Sequence, residues 1–307
     1  MKPSDQATPD AAAPLEESHA PACVMSFNAN DPSGASGIAG DIATISAMGA
    51  HALPVITAIM MRDTAEVFDQ QALEGEVIVE QARSILEDVT VAAWKVGFLG
   101  SAEAVSAVAE VLTDYPDVPL VSYLPNLTWL DEEQQQSYCE AFRELILPQT
   151  LILVGNHKTL TDFLLPDWEA ERPASARELA VAASEAGCEH VLVTGMVLKD
   201  QYIDNVLANS AGAISGEKFE RLDVNFIGAG DTLSASMAAL LAVGAEPHTA
   251  VSEALAFLDQ ALDAGFRPGM GNVIPDRFFW ALPPGEDDAE GGPDEGPDSP
   301  GTPHRVH

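Results

Sequence analysis

Short apolar runs that alternate with longer amphipathic segments restrict the fold of this chain more than any other feature of its sequence. The short runs have the length of buried strands, and the longer segments space their apolar residues like one face of a helix. Strands that are connected through helices form a parallel sheet with helices on both faces. The sequence therefore predicts an α/β fold with a mostly parallel central sheet.

The predicted elements follow one another along a single continuous stretch of the chain. Strands are predicted at residues 23–29, 53–61, 92–97, 120–123, 151–154 and 190–194. Helices are predicted at residues 38–48, 73–86, 102–115, 131–145, 174–186, 231–243 and 249–264. No repeat of fixed period is present, which argues against solenoids and propellers.

The two ends of the chain differ from the stretch between them. Residues 284–307 are dominated by Gly, Pro, Asp and Glu, and a segment of this composition cannot bury enough apolar surface to fold. We expect disorder in residues 1–20 and 284–307. We expect residues 21–283 to form a single domain, because a chain of this length suits one large α/β domain better than two small ones.

Charge and composition exclude several classes of partner and site. The 48 acidic and 14 basic residues give a formal net charge of −34, so the surface repels nucleic-acid backbones and anionic membranes. Three cysteines without a C-x-x-C pair argue against a disulfide framework or a zinc site. The first 22 residues lack the basic and apolar regions of a signal peptide, and we expect a cytoplasmic protein.

Ligands of such sheets bind in strand-to-helix loops beyond the carboxyl ends of the strands. The first candidate, residues 28–37 (the first turn), reads Asn-Ala-Asn-Asp-Pro-Ser-Gly-Ala-Ser-Gly. Its small residues let a ligand approach the backbone, and free N–H groups at a helix start can face an anion or a polar ring. A tight turn with a helix cap is the alternative. The glycine spacing is not that of a dinucleotide-binding loop.

The second candidate, residues 228–232 (the second turn), reads Gly-Ala-Gly-Asp-Thr and opens a predicted helix. The backbone N–H groups of Gly228, Ala229 and Gly230 would converge on one point and form an anion hole with the helix dipole. Asp231 beside this hole would act as a base toward an attacking alcohol during phosphoryl transfer. An aspartate helix cap is the alternative. Walker A, protein-kinase, H-E-x-x-H and G-x-S-x-G motifs are absent from the sequence.

The two turns and their surroundings resemble the hydroxymethylpyrimidine and phosphomethylpyrimidine kinases of thiamine biosynthesis, in the ribokinase-like superfamily. The resemblance extends over residues 23–280. The segments that carry it are Asp31-Pro32-Ser33-Gly34-Ala35-Ser36-Gly37-Ile38-Ala39-Gly40-Asp41, Ser46-Ala47-Met48-Gly49-Ala50, Val55-Ile56-Thr57-Ala58, Lys95-Val96-Gly97-Phe98-Leu99-Gly100 and Pro268-Gly269-Met270-Gly271. It implies a ribokinase-like fold.

The resemblance also implies an activity. ATP would phosphorylate the hydroxymethyl group of 4-amino-5-hydroxymethyl-2-methylpyrimidine and then the resulting monophosphate, with Mg²⁺ bridging the nucleotide phosphates. The implied pyrimidine-binding residues are Ala29, Asp31, Ser36, Gly37, Asp41, Met60, Arg62 and Phe98. The implied catalytic residues are Gly228, Ala229, Gly230 and Asp231, and the implied nucleotide-binding residues are Asn156, Thr194, Gly195 and Thr232. Dimers are common among ribokinase-like folds, which leaves a homodimer open.

Several positions depart from the family pattern and define two alternatives. Arg62 replaces a glutamine that faces the pyrimidine, and its five donors favour a kinase for another heteroaromatic alcohol, such as a pyridoxine-like one. Thr159 replaces a carboxylate that organises magnesium, and Met196 lies in a segment that replaces K-G-G-H. Both changes favour a catalytically weak ligand-binding or regulatory homologue. Asp231 itself stands where family members often have a cysteine.

The excess of acidic residues has two explanations, a strongly solvated surface or adaptation to high salt. Counterions screen the repulsion between like charges, so the salt hypothesis predicts a melting temperature that rises from low to molar KCl. Melting curves over a KCl series at constant pH test this expectation. A melting temperature that does not change would leave only the solvation explanation.

Overall fold

Nine strands form one sheet in residues 20–199 and 201–281, the part of the chain that the computed structural model describes. The segments expected to be disordered, 1–20 and 284–307, lie outside these residues except for Ala20. The strands are β1 (Cys23–Asn30), β2 (His51–Arg62), β3 (Val67–Ala72), β4 (Ala93–Val96), β5 (Leu120–Tyr123), β6 (Ile152–Asn156), β7 (His190–Val197), β8 (Tyr202–Asn209) and β9 (Gly212–Glu220). Their order in the sheet is β3-β2-β1-β4-β5-β6-β7-β8-β9.

The centre of the sheet is parallel, which confirms the prediction. β2, β1, β4, β5, β6 and β7 run in the same direction. All four residues of β4, Ala-Trp-Lys-Val, are buried. Strands that are covered on both faces are built from nearly continuous apolar runs, which is the signal that marked them in the sequence. These six strands are the six predicted ones, with ends shifted by at most three residues.

The strands near the two edges are antiparallel to their neighbours and were not predicted. β3 pairs with β2, β8 pairs with β7, and β9 pairs with β8. β3 reads Val-Phe-Asp-Gln-Gln-Ala, and every one of its residues is half-buried or exposed. Strands of this kind are held by backbone hydrogen bonds and local packing, so they lack the apolar run of a buried strand.

Helices cover both faces of the sheet, as predicted. They are α1 (Gly37–Ala47), α2 (Gly75–Leu86), α3 (Ala102–Thr113), α4 (Glu132–Ala141), α5 (His157–Leu164), α6 (Ala176–Glu185), α7 (Ala229–Ala242) and α8 (Pro247–Asp263). Neighbouring strand residues such as Val24 and Met25 belong to different apolar clusters, because successive side chains point to opposite faces. One cluster contains residues of α2 to α6, and the other contains residues of α1, α7 and α8.

Two helical regions differ from the prediction. The helix predicted at 131–145 is α-helical only as far as Ala141, and a π-helical turn (Phe142–Ile146) and a 3₁₀ turn (Leu147–Gln149) follow. α5 was not predicted because it has only eight residues, of which Leu160 and Phe163 are buried. The other predicted helices are present with small shifts of their ends.

The sheet brings distant residues to one edge. β1, β4 and β5 are adjacent and parallel, so the loops that follow them open on the same side of the sheet. The hairpin of β2 and β3 borders this edge. Within the described residues, no helix is long and apolar enough to cross a membrane. The cytoplasmic location and the homodimer stay predictions.

Candidate active site

The first and second turns touch each other at this edge of the sheet. Gly228 has a left-handed backbone conformation (φ 83°), and a Cβ atom there would lie 1.8 Å from the carbonyl oxygen of Ala35. Gly37 (φ 62°) is similarly close to Ala29, with 2.2 Å between an added Cβ atom and the carbonyl oxygen. Both positions require glycine, because a side chain would collide with backbone atoms. The two glycine-bearing turns therefore form one continuous surface.

A cavity of about 250 Å³ lies where the turns meet. It contains seven of the eight residues that the resemblance implied for pyrimidine binding, namely Ala29, Asp31, Ser36, Gly37, Met60, Arg62 and Phe98. Gly228 and Asp231 of the second turn line it as well. Further lining residues stand outside the motifs of the sequence analysis, among them Val67, Asn126, Trp129 and Phe226.

One wall of the cavity is aromatic and apolar. The rings of Phe98 and Trp129 meet edge to face, with 5.1 Å between their centroids. Met60 and Val67, from the hairpin of β2 and β3, continue this wall. A flat ring can pack against such a surface, and the polar groups of the two turns can then fix its orientation.

Asp31 organises the first turn from within. Its Oδ1 atom accepts hydrogen bonds from the backbone N–H (2.8 Å) and hydroxyl (2.6 Å) of Ser33. Its Oδ2 atom accepts from the backbone N–H (3.0 Å) and hydroxyl (2.5 Å) of Ser36. The Nη1 atom of Arg62 lies 3.8 Å from the same Oδ2 atom, and the Arg62 side chain is only 11% exposed. Arg62 is therefore a cation held at the cavity by the carboxylate of the first turn.

A buried lysine joins two carboxylates beneath the cavity. The Nζ atom of Lys95 lies 2.8 Å from Oδ1 of Asp231 and 2.9 Å from Oδ2 of Asp41. Asp41 is fully buried and also accepts a hydrogen bond of 2.6 Å from the hydroxyl of Ser26. Asp41 therefore lies behind the residues that line the cavity, bonded to Lys95. The contact with the pyrimidine that the resemblance implied for Asp41 stays a prediction.

Asn28 bridges the same two carboxylates. Its Nδ2 atom donates to Oδ2 of Asp41 (2.9 Å) and to Oδ1 of Asp231 (2.8 Å). Its Oδ1 atom accepts from the backbone N–H groups of Ala29 (2.9 Å) and Phe98 (3.0 Å). All four hydrogen-bonding positions of the amide are used, which fixes its orientation.

The two carboxylates respond differently to this environment. Burial raises the pKa of Asp41 by more than the charge of Lys95 lowers it. Burial also opposes the ionisation of Asp231, but the charge of Lys95 and hydrogen bonds from Lys95 and Asn28 lower its pKa. Lys95 stays protonated, because the carboxylates raise its pKa although burial acts in the opposite direction. Of the two carboxylates bonded to Lys95, Asp231 is thus the one that is ionised at neutral pH.

The second turn forms the beginning of α7. Gly228 is its N-cap residue, and the backbone N–H of Thr232 donates to the carbonyl of Gly228 at 2.9 Å. The N–H groups of Ala229, Gly230 and Asp231 precede this bond and have no acceptor within the helix. Ala229 and Gly230 are next to the cavity without lining it. The Thr232 side chain, implied for nucleotide binding, is buried and donates to the Gly228 carbonyl at 2.8 Å.

The other implied nucleotide-binding residues lie outside the cavity. Asn156, the last residue of β6, is paired with Thr194 of β7, and Gly195 follows Thr194. The Asn156 side chain caps α5, and the Thr194 hydroxyl donates to the carbonyl of Gly155 at 3.2 Å. Their role toward a nucleotide stays a prediction.

Three residues of the site came from outside the predicted set. Lys95 carries a signal that reveals it, since a lysine within an apolar strand is buried only when it is paired. Asn28 was part of the first turn, but its sequence position does not show that it bridges two carboxylates. Arg277 belongs to none of the motifs, yet it is buried and its guanidinium group reaches both turns.

Comparison with known proteins identifies the family. The family described as phosphomethylpyrimidine kinase matches residues 31–276 of the chain. The chain belongs to this family. It is therefore a kinase, an enzyme that transfers a phosphoryl group.

Individual relatives agree with this assignment. The hydroxymethylpyrimidine/phosphomethylpyrimidine kinase of Streptomyces coelicolor is 30% identical over 85% of this chain and 96% of its own length. The thiamine biosynthetic bifunctional enzyme TH1 of Arabidopsis thaliana is 31% identical over 78% of this chain and 46% of its own length. Among solved structures, the ADP complex of Bacillus subtilis pyridoxal kinase superposes with a TM-score of 0.77 at 21% sequence identity. The superposition includes 86% of this chain and 100% of the pyridoxal kinase chain. This likeness shows the shared ribokinase-like fold.

The buried lysine predicts a large effect on stability. Lys95→Met removes the cation that Asp41 and Asp231 share and leaves buried charge without a partner. We expect the free energy of unfolding to fall by about 3–5 kcal/mol. Urea unfolding at neutral pH measures the change. The double variant Lys95→Met/Asp41→Asn should recover part of the loss, because one of the two carboxylates is then neutral.

Lys158→Met is the matched control for this prediction. Lys158 forms an exposed ion pair with Asp162 on α5, at 2.6 Å, and exposed pairs contribute little to stability. We expect a much smaller change than for Lys95→Met. Equal losses in the two variants would contradict the importance of the buried cluster.

Proposed function

We propose that the chain uses ATP to phosphorylate 4-amino-5-hydroxymethyl-2-methylpyrimidine and its monophosphate in thiamine biosynthesis. The observation that carries this proposal is the position of Asp231. Its carboxylate lines the cavity at the first turn of α7, the turn whose backbone N–H groups have no acceptor within the helix. Membership of the phosphomethylpyrimidine kinase family supports the choice of acceptor.

The pyrimidine ring would occupy the cavity. The volume of about 250 Å³ suits a small ligand, and the wall of Phe98, Trp129 and Met60 offers it an apolar surface. The hydroxymethyl group would then point toward Asp231. Asp41 supports the site indirectly, because it holds Lys95 and Asn28 in place behind this wall.

In the first step, the hydroxymethyl oxygen attacks the γ-phosphorus of ATP while the bond from that phosphorus to the ADP oxygen breaks. Asp231 accepts the proton of the hydroxymethyl group, and the N–H groups of Ala229 and Gly230 with the α7 dipole stabilise the transferred phosphoryl group. Lys95 and Asn28 hold one oxygen of the Asp231 carboxylate. The low pKa of Asp231 is compatible with this role, because the proton leaves late in a loose transition state.

The second step makes a smaller demand on Asp231. The nucleophile is then an oxygen of the monophosphate, which is already ionised at neutral pH. No proton has to be removed for the attack. The position of the acceptor and the neutralisation of charge decide the rate of this step.

Mg²⁺ is part of the proposal together with ATP. No group of three or more His, Cys, Asp or Glu side chains in the described residues is arranged to hold a metal ion. Thr159 stands where the family pattern has a carboxylate, and the Asn156 side chain caps α5. These residues fit an ion that arrives with the nucleotide and is held mainly by its phosphates. When bound, the ion neutralises charge on the phosphates.

The base role predicts unequal effects on the two steps. Asp231→Asn should lower the rate of the alcohol step by about 10²–10⁴-fold, the usual contribution of a general base. The monophosphate step should lose less. ATP consumption with each acceptor measures both rates, and Asp162→Asn on the exposed face of α5 serves as the control. An equal loss in both steps would contradict the base role.

Binding of the pyrimidine without turnover in the wild type would support a regulatory homologue.

Arg62 favours a second candidate, a kinase for another heteroaromatic alcohol that is pyridoxine-like. Its guanidinium group lines the cavity beside Asp31 and Ser36 and supplies donors without an acceptor. A ligand with a negative charge or several acceptors would gain more from Arg62 than a neutral pyrimidine would.

Arg62→Gln tests this candidate. We expect the ratio of kcat/KM for the hydroxymethylpyrimidine to that for pyridoxine to rise by at least about tenfold, since a donor group that matches only one ligand is removed. The KM of ATP should stay constant. Arg83→Gln, on the distant and exposed surface of α2, controls for the lost charge. An unchanged ratio would show that Arg62 does not select the acceptor.

A further inference from the structure

After α8 the chain returns across the site in residues 266–277, which we call the C-terminal strap. The backbone N–H of Asn272 donates to the carbonyl of Thr64 at 2.9 Å, in the loop between β2 and β3. The backbone N–H of Ile227, just before the second turn, donates to the carbonyl of Val273 at 2.9 Å. The strap thus bonds the hairpin on one side of the cavity and the approach to the second turn on the other.

Arg277, at the end of the strap, is bonded to both turns. Its Nη2 atom donates to the carbonyl of Ala35 in the first turn at 2.5 Å. Its Nε atom donates to the hydroxyl oxygen of Thr232 in the second turn at 3.0 Å, and Nη2 lies 3.5 Å from the carbonyl of Gly228. Arg277 is only 5% exposed. One rigid group therefore sets the spacing between two loops that are far apart in the sequence.

The charge of Arg277 acts at the same place. It lies behind the amino end of α7, where the helix dipole is already positive. Burial lowers the pKa of Arg277, and the negative charges of Asp231, Asp41 and Asp31 oppose this shift. Because a guanidinium group does not lose its proton in proteins, this positive charge is permanent. In a chain with a net charge of −34, a cation at this point favours the approach of a nucleotide phosphate.

We propose that Arg277 is a positioning residue of the kinase reaction. Its planar fork holds the first turn, which borders the acceptor, at a fixed distance from the α7 amino end, which receives the phosphoryl group. Its charge strengthens the attraction of that helix end for phosphate. The proposal depends on the kinase reaction and on the proposed place of the phosphate, and it does not depend on which alcohol is the acceptor.

Two substitutions distinguish the hydrogen-bonding geometry of the Arg277 guanidinium group from its positive charge. Arg277→Met removes both, and we expect kcat to fall by about 10²-fold, the effect of a small misplacement of reacting groups. The KM of the acceptor should change much less, because the cavity wall is untouched. The affinity for ADP, measured by calorimetry, should fall by about tenfold. Arg277→Lys keeps the charge, so the ADP affinity should stay close to that of the wild type while kcat remains low.

Arg83→Met is the charge-matched control, since Arg83 is exposed on α2 and pairs with Asp114 away from the site. We expect kcat and ADP affinity in this variant to equal those of the wild type. Circular dichroism and melting curves establish that each variant is folded. If Arg277→Met fails to fold, the test relies on the kcat of Arg277→Lys, because lysine retains an aliphatic side chain and the positive charge.

Three results would overturn the proposal. A folded Arg277→Met variant with wild-type kcat and ADP affinity would show that Arg277 serves stability alone. Full recovery of kcat in Arg277→Lys would show that the fork is not needed.

If the wild type fails to phosphorylate the pyrimidine, the proposed acceptor is wrong, but the ADP titration still tests Arg277. An unchanged ADP affinity in Arg277→Met would then refute its role at the helix end.

Discussion

A lysine without access to water connects the parts of the candidate active site. Lys95 comes from β4, and its partners Asp41 and Asp231 come from α1 and α7. Removal of three charges from water is costly, and it is offset only when the geometry satisfies each of them. Asn28 contributes to that geometry, because its amide donates to both carboxylates and is itself fixed by two backbone N–H groups. The relative positions of these elements are consequently defined within narrow limits.

The cluster also explains how one aspartate can be ionised at the edge of a buried site. Asp41 and Asp231 share the ammonium group of Lys95, but their different surroundings shift their pKa values in opposite directions. Asp41, fully enclosed, binds its proton more readily, whereas Asp231 at the cavity keeps its negative charge. Around the same cavity, Arg62 pairs with Asp31, and Arg277 is bonded to Ala35 and Thr232 of the two turns. The site is thus nearly balanced in charge although the chain as a whole is strongly acidic, and balance of this kind is what an anionic nucleotide needs in order to approach.

The sequence predicted the strands and helices whose apolar residues are buried. It did not predict features that depend on contacts between residues far apart in the chain. The parallel strands and most helices were predicted because their apolar spacing reports their surroundings, but β3 and β9 carry half-exposed residues without that signal. The turns were recognised from their glycines and from the family resemblance, and the structure places both at one cavity. The position of Asp41 behind the wall could not be foreseen, because it depends on Lys95. Arg277 could not be foreseen either, since its partners are carbonyl groups that belong to no sequence pattern.

The path of the C-terminal strap has a consequence for the synthesis of the protein. Ribosomes release the chain from its amino end, so the first turn emerges long before the residues that bond it. Ala35 receives its partner only when Arg277 has left the exit tunnel. A nascent chain can therefore build much of the parallel sheet before the contact between the strap and the first turn can form. Prematurely terminated products that end before Arg277 would lack this contact, however well the rest of them folds.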